Sequence, residues 1–173
     1  AWTLDLSDRD AIGQVIGDIA AHFGGIDLLI NNAGISVPAP IDGDGYEEAW
    51  ATSLSVLLTA QHRTIRAALV HLRQSSNPRI VNIASIGGKH GAPELAHYSA
   101  SKAAVVGFSC VLALEVGLLG ITVNCVCPGI IPTDMGRVNL EVASVRAALQ
   151  DKTALARIGA PEDIAGPVAF LFG

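Results

Sequence analysis

The stretch Ile26-Asp27-Leu28-Leu29-Ile30-Asn31-Asn32-Ala33-Gly34 decides the fold of this chain. It begins with a short apolar run of strand length, and a helical pattern of apolar residues between Ile12 and Phe23 precedes it. The glycine pair Gly24-Gly25 ends that helix. Further upstream, Trp2 to Leu6 is interpreted as the end of an earlier strand, and Ser7 as the residue that caps the helix. The chain therefore opens with a predicted strand–helix–strand unit.

The same alternation of strands and helices continues along the chain. The pattern predicts a helix from Tyr46 to Arg73, a strand from Arg79 to Ala84, a helix from Pro93 to Leu118 and a strand from Ile121 to Val126. Strands that alternate with helices form parallel sheets, so we predict an α/β, Rossmann-like doubly wound fold with helices on both faces. No linker interrupts residues 1–173, which favours a single domain.

The region after the last predicted strand has helical character. Residues 134–158 are expected to form one or two helices that cover the functional edge of the sheet. Pro161 is expected in the first turn of a last helix, in which Pro167 introduces a kink.

Composition and charge exclude several classes of protein. Of the 173 residues, 50% are hydrophobic and 16% are charged, which suits one soluble, globular core. The net charge of −5 offers no basic field for nucleic acid or for an anionic membrane surface. The apolar run from Ala103 to Ile131 is long enough to span a bilayer, but Glu115 interrupts it, so a buried helix followed by a buried strand explains it better. No secretory signal is visible, and we expect a cytoplasmic protein.

The three cysteines, Cys110, Cys125 and Cys127, all occur in apolar runs. An odd number of cysteines in such positions indicates reduced core thiols rather than a disulfide framework. No second pair of cysteine or histidine residues lies close to Cys125 and Cys127, so we expect no metal site.

Polar and small residues follow each predicted strand. In a parallel sheet the carboxyl ends of the strands lie on one edge, and ligands bind there. The residues in question are Asp5; Asn31-Asn32-Ala33-Gly34; Ser85 with Gly87-Gly88; and Pro128-Gly129-Ile130-Ile131-Pro132-Thr133.

Tyr98 and Lys102 are four residues apart on a predicted helix, which places them on one face. A nearby ammonium favours the phenolate form, so Tyr98 becomes a usable general acid/base. Ser85 ends a strand shortly before and offers a hydroxyl to the same substrate oxygen. Taken alone, a helical Tyr–Lys pair is more often a surface pair, and the combination with the strand-end residues is what favours a catalytic site.

The order and spacing of these elements resemble the short-chain dehydrogenase/reductase family over essentially the whole chain. The resemblance implies that Tyr98 is the acid/base, that Lys102 also binds the nicotinamide ribose and that Ser85 orients the substrate. It implies NAD or NADP as the cofactor, with Asp5 near the adenine, Asn32 near the adenosine ribose, and Ile131 and Thr133 at the carboxamide. The full set of expected cofactor contacts is Asp5, Leu6, Asn32, Ala33, Gly34, Tyr98, Lys102, Pro128, Gly129, Ile131 and Thr133.

One departure from the family pattern concerns the long helix before the serine strand. The family carries an asparagine in a Val-Asn-Leu-Thr-like context, and this sequence has Leu57 at that position. In the family that asparagine helps to hold a water that relays protons to the lysine, and leucine cannot form hydrogen bonds. Ser53, Ser55 or Thr59 are candidate substitutes, of which only Ser53 falls near the same helix face. We therefore expect an altered proton relay.

The second departure is larger, because the family's glycine-rich phosphate loop and its closing strand with an Asp-Gly-Gly element are absent from residues 1–173. The loop supplies backbone N–H groups and a helix N-terminus for the pyrophosphate. We expect both elements to lie outside this sequence, so the fold is incomplete at both ends, and a chain limited to these residues is expected to bind the cofactor poorly. The choice between NAD and NADP stays open, since the second strand normally sets it.

The favoured function is hydride transfer between a nicotinamide cofactor and a secondary alcohol or ketone, similar to 3-oxoacyl carrier-protein reductases. Two alternatives stay open: a non-catalytic dinucleotide-binding or scaffold protein, and epimerisation or dehydration through the same Tyr–Lys pair. The substrate is expected to be a small carbonyl or alcohol compound that contacts loops at residues 38–44, 90–95 and 134–156.

Other polar residues near the predicted site receive lesser roles. His90 could line the substrate pocket, whereas His97 points away from the Tyr98 face and is expected at the surface or in packing. Glu94 and Asp134 are expected to be solvated loop charges. The helices that carry Trp50, Leu54 and Leu58, and Val105, Phe108 and Leu112, have broad apolar faces. The resemblance implies that such helices pair in a homodimer or homotetramer.

Overall fold

Three parallel strands form one sheet in the order β1 (Leu28–Asn31), β2 (Arg79–Ile83) and β3 (Thr122–Val126). The structure is a computed structural model that describes the backbone of residues 1–173 and every side chain except those of Val138 and Asn139. The register aligns Asn31 with Asn82, and Asn82 with Cys125. All three strands therefore end at the same edge, and the predicted α/β fold with a parallel sheet is confirmed.

Helices pack on both faces of the sheet. The helices of the chain are α1 (Arg9–Phe23), α2 (Tyr46–Leu54), α3 (Ala60–Leu72), α4 (Ala96–Gly117), α5 (Asp134–Glu141), α6 (Ala143–Asp151) and α7 (Pro161–Phe170). Ile80 packs with apolar residues of α1, α3 and α4. Its neighbours Val81 and Ile83 point the other way and pack with Val168 of α7. The alternation of side chains along β2 thus builds two separate cores from one strand.

The predicted helix from Tyr46 to Arg73 changes its hydrogen-bond pattern near its middle. Between α2 and α3, residues Ser55–Thr59 form a π-helical segment, in which Leu57 is fully buried. Such a segment accommodates one extra residue without ending the helix, and it is common at functional sites. The apolar periodicity continues through it, so the sequence pattern could not reveal it.

Two predictions for the N-terminal region were wrong. Residues 2–6 form no strand, because they make no ladder hydrogen bonds with β1, although Leu4 and Leu6 pack against the core. Ser7 does not cap α1: its backbone N–H and its hydroxyl both donate to Asp5 Oδ1, each at 2.8 Å. Asp8 caps the helix instead, because its carboxylate accepts the N–H groups of Asp10 and Ala11. The predicted stop is confirmed, since Gly24 adopts the left-handed conformation at the end of α1.

A chain of buried side-chain hydrogen bonds crosses the sheet just before its carboxyl edge. Asn31 Nδ2 donates to Asn82 Oδ1 at 2.9 Å, and Asn82 Nδ2 donates to Ser109 Oγ of α4 at 2.9 Å. Thr64 Oγ1 of α3 also donates to Asn31 Oδ1, at 2.7 Å. Buried amides are costly to leave unpaired, so these bonds fix the register of β1 against β2 and anchor both helices.

Helix α4 is long and apolar enough to cross a membrane by length and composition alone, a test that core helices of globular proteins also pass. It packs along β3, against α2 and against the turn that follows β2. These contacts identify α4 as the central helix of the domain, in line with the interpretation of the apolar run as a buried helix and strand.

The expected burial of some apolar and thiol groups was wrong. Cys110 is exposed rather than a core thiol, whereas Cys125 and Cys127 are partly buried, and all three are free. Val105 and Leu112 belong to the core, whereas the large apolar side chains exposed on α4 are Val111 and Leu114. A helix of this length presents a core face and an outer face, and the apolar residues of its sequence occupy both.

The hydrogen bonds of Asn82 predict a large effect of its removal. We expect Asn82→Ala to lower the free energy of unfolding by about 2–4 kcal/mol, because two buried polar groups lose their partner. Urea unfolding followed by circular dichroism measures this change. Asn124→Ala on the neighbouring strand, at a partly exposed position, is the control and is expected to cost less than about 1 kcal/mol. Equal costs for the two variants would contradict a structural role of the buried network.

Candidate active site

Lys102 is the most deeply buried charged group of the site. Its side chain is 4% exposed, and Nζ donates to the carbonyl oxygen of Ile83 at 2.7 Å. Burial lowers the pKa of Lys102 below its ordinary value, and the thiols of Cys125 and Cys127 act in the opposite sense. The ammonium is thereby tied to the end of β2, one helical turn from Tyr98.

Ser85 is held between two backbone hydrogen bonds that extend the sheet. Ala84 N donates to the Val126 carbonyl at 2.8 Å, and Ile86 N donates to the Pro128 carbonyl at 3.0 Å. The Ser85 backbone is extended, and its Oγ accepts the N–H of Gly87 at 2.9 Å. Because that bond uses an oxygen lone pair, the hydroxyl hydrogen is available to donate to a substrate oxygen.

The turn Ile86–Gly88 brings Ser85 and Tyr98 together. A Cβ atom on Gly87 would lie 3.2 Å from Ser85 Oγ and 3.1 Å from Tyr98 Cε1. A Cβ atom on Gly88 would lie 2.8 Å from the backbone nitrogen of Ala103. The turn can therefore sit on α4 only because both positions lack a side chain. Lys102 Nζ lies 5.9 Å from the centre of the Tyr98 ring, which completes the grouping of the three predicted catalytic residues.

Leu57 approaches the site from the helix before β2, on the side of Lys102. A Cβ atom on Gly34 would lie 3.3 Å from Leu57 Cδ2 and 3.9 Å from Lys102 Nζ. Leu57 thus packs against the loop after β1, close to the lysine. Of the candidate substitutes for a hydrogen-bonding residue here, Ser53 is fully buried one turn earlier. Its Oγ has no partner among the side chains that the structure describes.

Three residues predicted to contact the cofactor line one cavity beside β1. Leu6, Asn32 and Ala33 line a space of about 190 Å³, with Asp5 next to it along the chain. The Asp5 carboxylate is exposed, and the hydrogen bonds from Ser7 lower its pKa. Gln61 also lines this cavity and was not among the predicted site residues. It is 3% exposed, and neither of its amide atoms has a partner among the described residues. A glutamine within an apolar helical pattern was the only signal available.

The loop after β3 carries the remaining predicted cofactor contacts. Pro128 and Gly129 lie against Ile86, the residue after Ser85. Thr133 N donates to the Ile131 carbonyl at 2.8 Å, and Thr133 precedes α5. An open cleft of about 640 Å³ between α5 and α6 lies beyond this loop. Residues 134–158 thus contain two helices, as predicted.

The lesser polar candidates divide clearly. His90 is exposed, and its backbone N–H donates to the Ile86 carbonyl. Glu94 and Asp134 are exposed, as predicted for solvated charges. His97 is completely buried and therefore does not lie at the surface.

The geometry defines a doubly wound α/β protein with a Ser–Tyr–Lys grouping at the carboxyl edge of its sheet. A family model described as Enoyl-(Acyl carrier protein) reductase matches residues 1–173. A 3-oxoacyl-(acyl-carrier-protein) reductase FabG of Haemophilus influenzae is 39% identical over 97% of this chain and 68% of its own length. Nodulation protein G of Azospirillum brasilense is 35% identical over 96% of this chain and 67% of its own length. The chain belongs to the short-chain dehydrogenase/reductase family.

Solved structures show the same fold. The ligand-free aldohexose dehydrogenase of Thermoplasma acidophilum aligns with a TM-score of 0.92 and 28% identity, covering 99% of this chain and 70% of that one. A structure of ElxO with NADP bound aligns with a TM-score of 0.90 and 28% identity, with the same coverage. The chain thus corresponds to about two thirds of the length of its relatives.

The close contact between Gly88 and α4 predicts a steric penalty. We expect Gly88→Ala to lower the free energy of unfolding by about 1–3 kcal/mol, because the new Cβ meets the rigid backbone at Lys102 and Ala103. Gly107→Ala on the same helix is the matched control. Its Cβ meets nothing within 4 Å, so a gain of up to about 1 kcal/mol is expected from helix propensity. Thermal unfolding of both variants measures the difference, and a neutral Gly88→Ala would refute the contact.

The burial of Lys102 predicts a pH-dependent effect on stability. Because the folded-state pKa is lowered from 10.5, the folded chain holds this proton less tightly than the unfolded chain. Rising pH between the two pKa values therefore stabilises the wild type relative to Lys102→Met. Urea unfolding of both proteins between pH 7 and pH 10 measures the change, with the exposed Lys152→Met as control. A difference that stays constant with pH would show that Lys102 does not carry the buried charge.

Proposed function

We propose that this protein is an NAD(P)-dependent oxidoreductase that interconverts a secondary alcohol and a ketone, with Ser85, Tyr98 and Lys102 as its catalytic residues. The observation that carries the proposal is the placement of the Ser85 hydroxyl and the Tyr98 ring on two sides of Gly87. Both side chains can reach one substrate oxygen from there. The membership of the family and the likeness to FabG reductases support the same reaction class.

Tyr98 transfers the proton at its phenolic oxygen. In the reducing direction the phenol donates its proton to the substrate oxygen, and in the oxidising direction the phenolate accepts it. The Ser85 hydroxyl donates a hydrogen bond to the same oxygen and stabilises the negative charge that develops there. The Lys102 ammonium lies near the Tyr98 ring, one helical turn further along α4. When bound, the nicotinamide cofactor supplies or accepts the hydride.

The proton route behind Lys102 differs from the pattern of the family. Leu57 presents only methyl groups to the loop at Gly34, so its side chain cannot hold a relay water. Among the polar side chains close to Leu57 along the helix, Ser53 is fully buried, and its hydroxyl has no partner among the described residues. We place the altered relay along this helix.

The residues at the sheet edge fit a dinucleotide. The cavity beside β1 has a buried amide at Gln61 with unpartnered atoms, together with Leu6, Asn32 and Ala33. Asp5 is ionised next to it and can accept from an adenine amino group. Gly34, Pro128, Gly129, Ile131 and Thr133 lead from this cavity towards Ser85 and complete the proposed contact set. NAD and NADP are both compatible with these residues.

A non-catalytic dinucleotide-binding or scaffold role is the second candidate. Leu57 favours it, because a protein without turnover does not need the relay. The retention of Ser85, Tyr98 and Lys102 in one grouping argues for the enzyme.

The substrate side and the assembly complete the proposal. We place a small carbonyl or alcohol substrate between the segments at residues 38–44, 90–95 and 134–156, the last of which contains α5 and α6. Exposed apolar side chains favour a homodimer or homotetramer, namely Val111 and Leu114 on α4 and Val70 on α3. The proposed location is the cytoplasm.

The catalytic role of Tyr98 has a direct test. Full-length protein is expected to oxidise NADH or NADPH with at least one ketone of a panel, and Tyr98→Phe is expected to lower kcat by at least about a hundredfold. Absorbance of the reduced nicotinamide measures turnover. Tyr46→Phe removes a phenol hydroxyl on α2. It is the matched control and is expected to retain activity. Absence of turnover with every ketone, with a cofactor that still binds, would favour the scaffold role.

A further inference from the structure

His97 makes a contact that neither catalysis nor cofactor binding uses. Its ring is completely buried, and Nε2 lies 2.7 Å from the carbonyl oxygen of Val37. A carbonyl only accepts, so the ring carries its proton on Nε2 and donates it. The ring also packs edge-to-face on Tyr46 of α2, with centroids 5.7 Å apart. His97 therefore connects α4 to the loop after β1 through one oriented hydrogen bond.

A second bond ties the same loop to the approach of α4. Ala39 N donates to the Glu94 carbonyl at 2.9 Å. Glu94 adopts a φ of 66°, a left-handed conformation that a glutamate rarely takes. Backbone strain of this kind persists only where surrounding contacts impose it. The segment Val37–Ala39 is thus fixed from two directions, by a side chain of α4 and by a strained backbone position before it.

The fixed segment stands next to the proposed reaction centre. Gly34, three residues before Val37, lies beside Lys102 Nζ. His97 directly precedes Tyr98 on α4. The loop after β1 therefore passes Lys102 at Gly34 and is attached to α4 at His97, the residue before Tyr98. The position of this loop sets the width of the space next to Lys102 and Tyr98.

From this arrangement we infer that His97 is a positioning residue. By donating from Nε2 to the Val37 carbonyl, it fixes the segment Val37–Ala39, with which the proposed substrate loop at residues 38–44 begins. The inference rests on the proposed oxidoreductase function for its kinetic consequence, but not for the loop contact itself. The role requires the N–H donor rather than the volume of the ring. A buried histidine that only fills space would be replaced equally well by an apolar side chain of similar size.

Two variants of full-length protein separate these roles. His97→Met keeps much of the volume and removes the donor, whereas His97→Gln keeps an N–H donor at the end of a side chain of similar length. We expect His97→Met to raise KM for the ketone about fivefold to tenfold with less than a twofold change in kcat, and His97→Gln to restore most of the loss. His71→Met, at the end of α3, is the control and is expected to change neither constant.

Hydrogen–deuterium exchange provides a readout that does not depend on turnover. His97→Met is expected to raise exchange selectively in peptides covering residues 35–45, while α1 and α3 stay protected. Equal effects of Met and Gln, or no change in residues 35–45, would overturn the inference. Selective exchange without turnover on any ketone would support the loop contact and refute the oxidoreductase proposal instead. In the wild type, a long-range nitrogen–proton NMR correlation is expected to place the His97 proton on Nε2, and a proton on Nδ1 would also overturn the inference.

Discussion

The site depends on one buried cation and the carbonyl that holds it. Lys102 lies on a helix whose inner face packs on the sheet, and its ammonium has been removed almost completely from water. Desolvating a charge is costly unless hydrogen bonds replace the water, and the Ile83 carbonyl supplies one such bond at 2.7 Å. Because Ile83 is the last residue of β2, the lysine couples the position of α4 to the strand end from which Ser85 follows. The hydrogen bond between Lys102 and Ile83, which neither Ser85 nor Tyr98 makes itself, thus helps to fix the separation of these two residues.

The buried amide network extends this constraint through the sheet. Asn31 and Asn82 pair across adjacent strands directly before the residues that enter the site. Ser109 joins the network from α4, two helical turns beyond Lys102. A slip of β1 against β2 by one residue would unpair these amides and turn every side chain of the strand to the opposite face. The buried hydrogen bonds of Asn31 and Asn82 therefore hold the loops after β1 and β2 in fixed positions relative to each other.

Much of the fold was predictable from the sequence, because alternating apolar runs and helical patterns are local signals. The parallel sheet, the two helices within residues 134–158 and the end of α1 at Gly24 all follow from such signals. The π-helical segment at Ser55–Thr59 was not predictable, since its apolar pattern is that of an ordinary helix. The strand expected at residues 2–6 was wrong for a related reason: a strand needs a partner, and its own residues do not reveal whether one is present. The grouping of Ser85, Tyr98 and Lys102 could be anticipated from spacing, whereas the contacts of His97 and Gln61 depend on loops that meet only in three dimensions.

The side of β1 that faces away from β2 has a consequence for strand pairing. Within residues 1–173, β1 pairs with β2 alone, and its side chains at Leu28 and Ile30 are both nearly half exposed. The main-chain donors and acceptors on that side are able to pair with a further strand. A charged side chain at Leu28 or Ile30 would oppose such an addition, because an incoming strand and its covering elements would have to desolvate the charge.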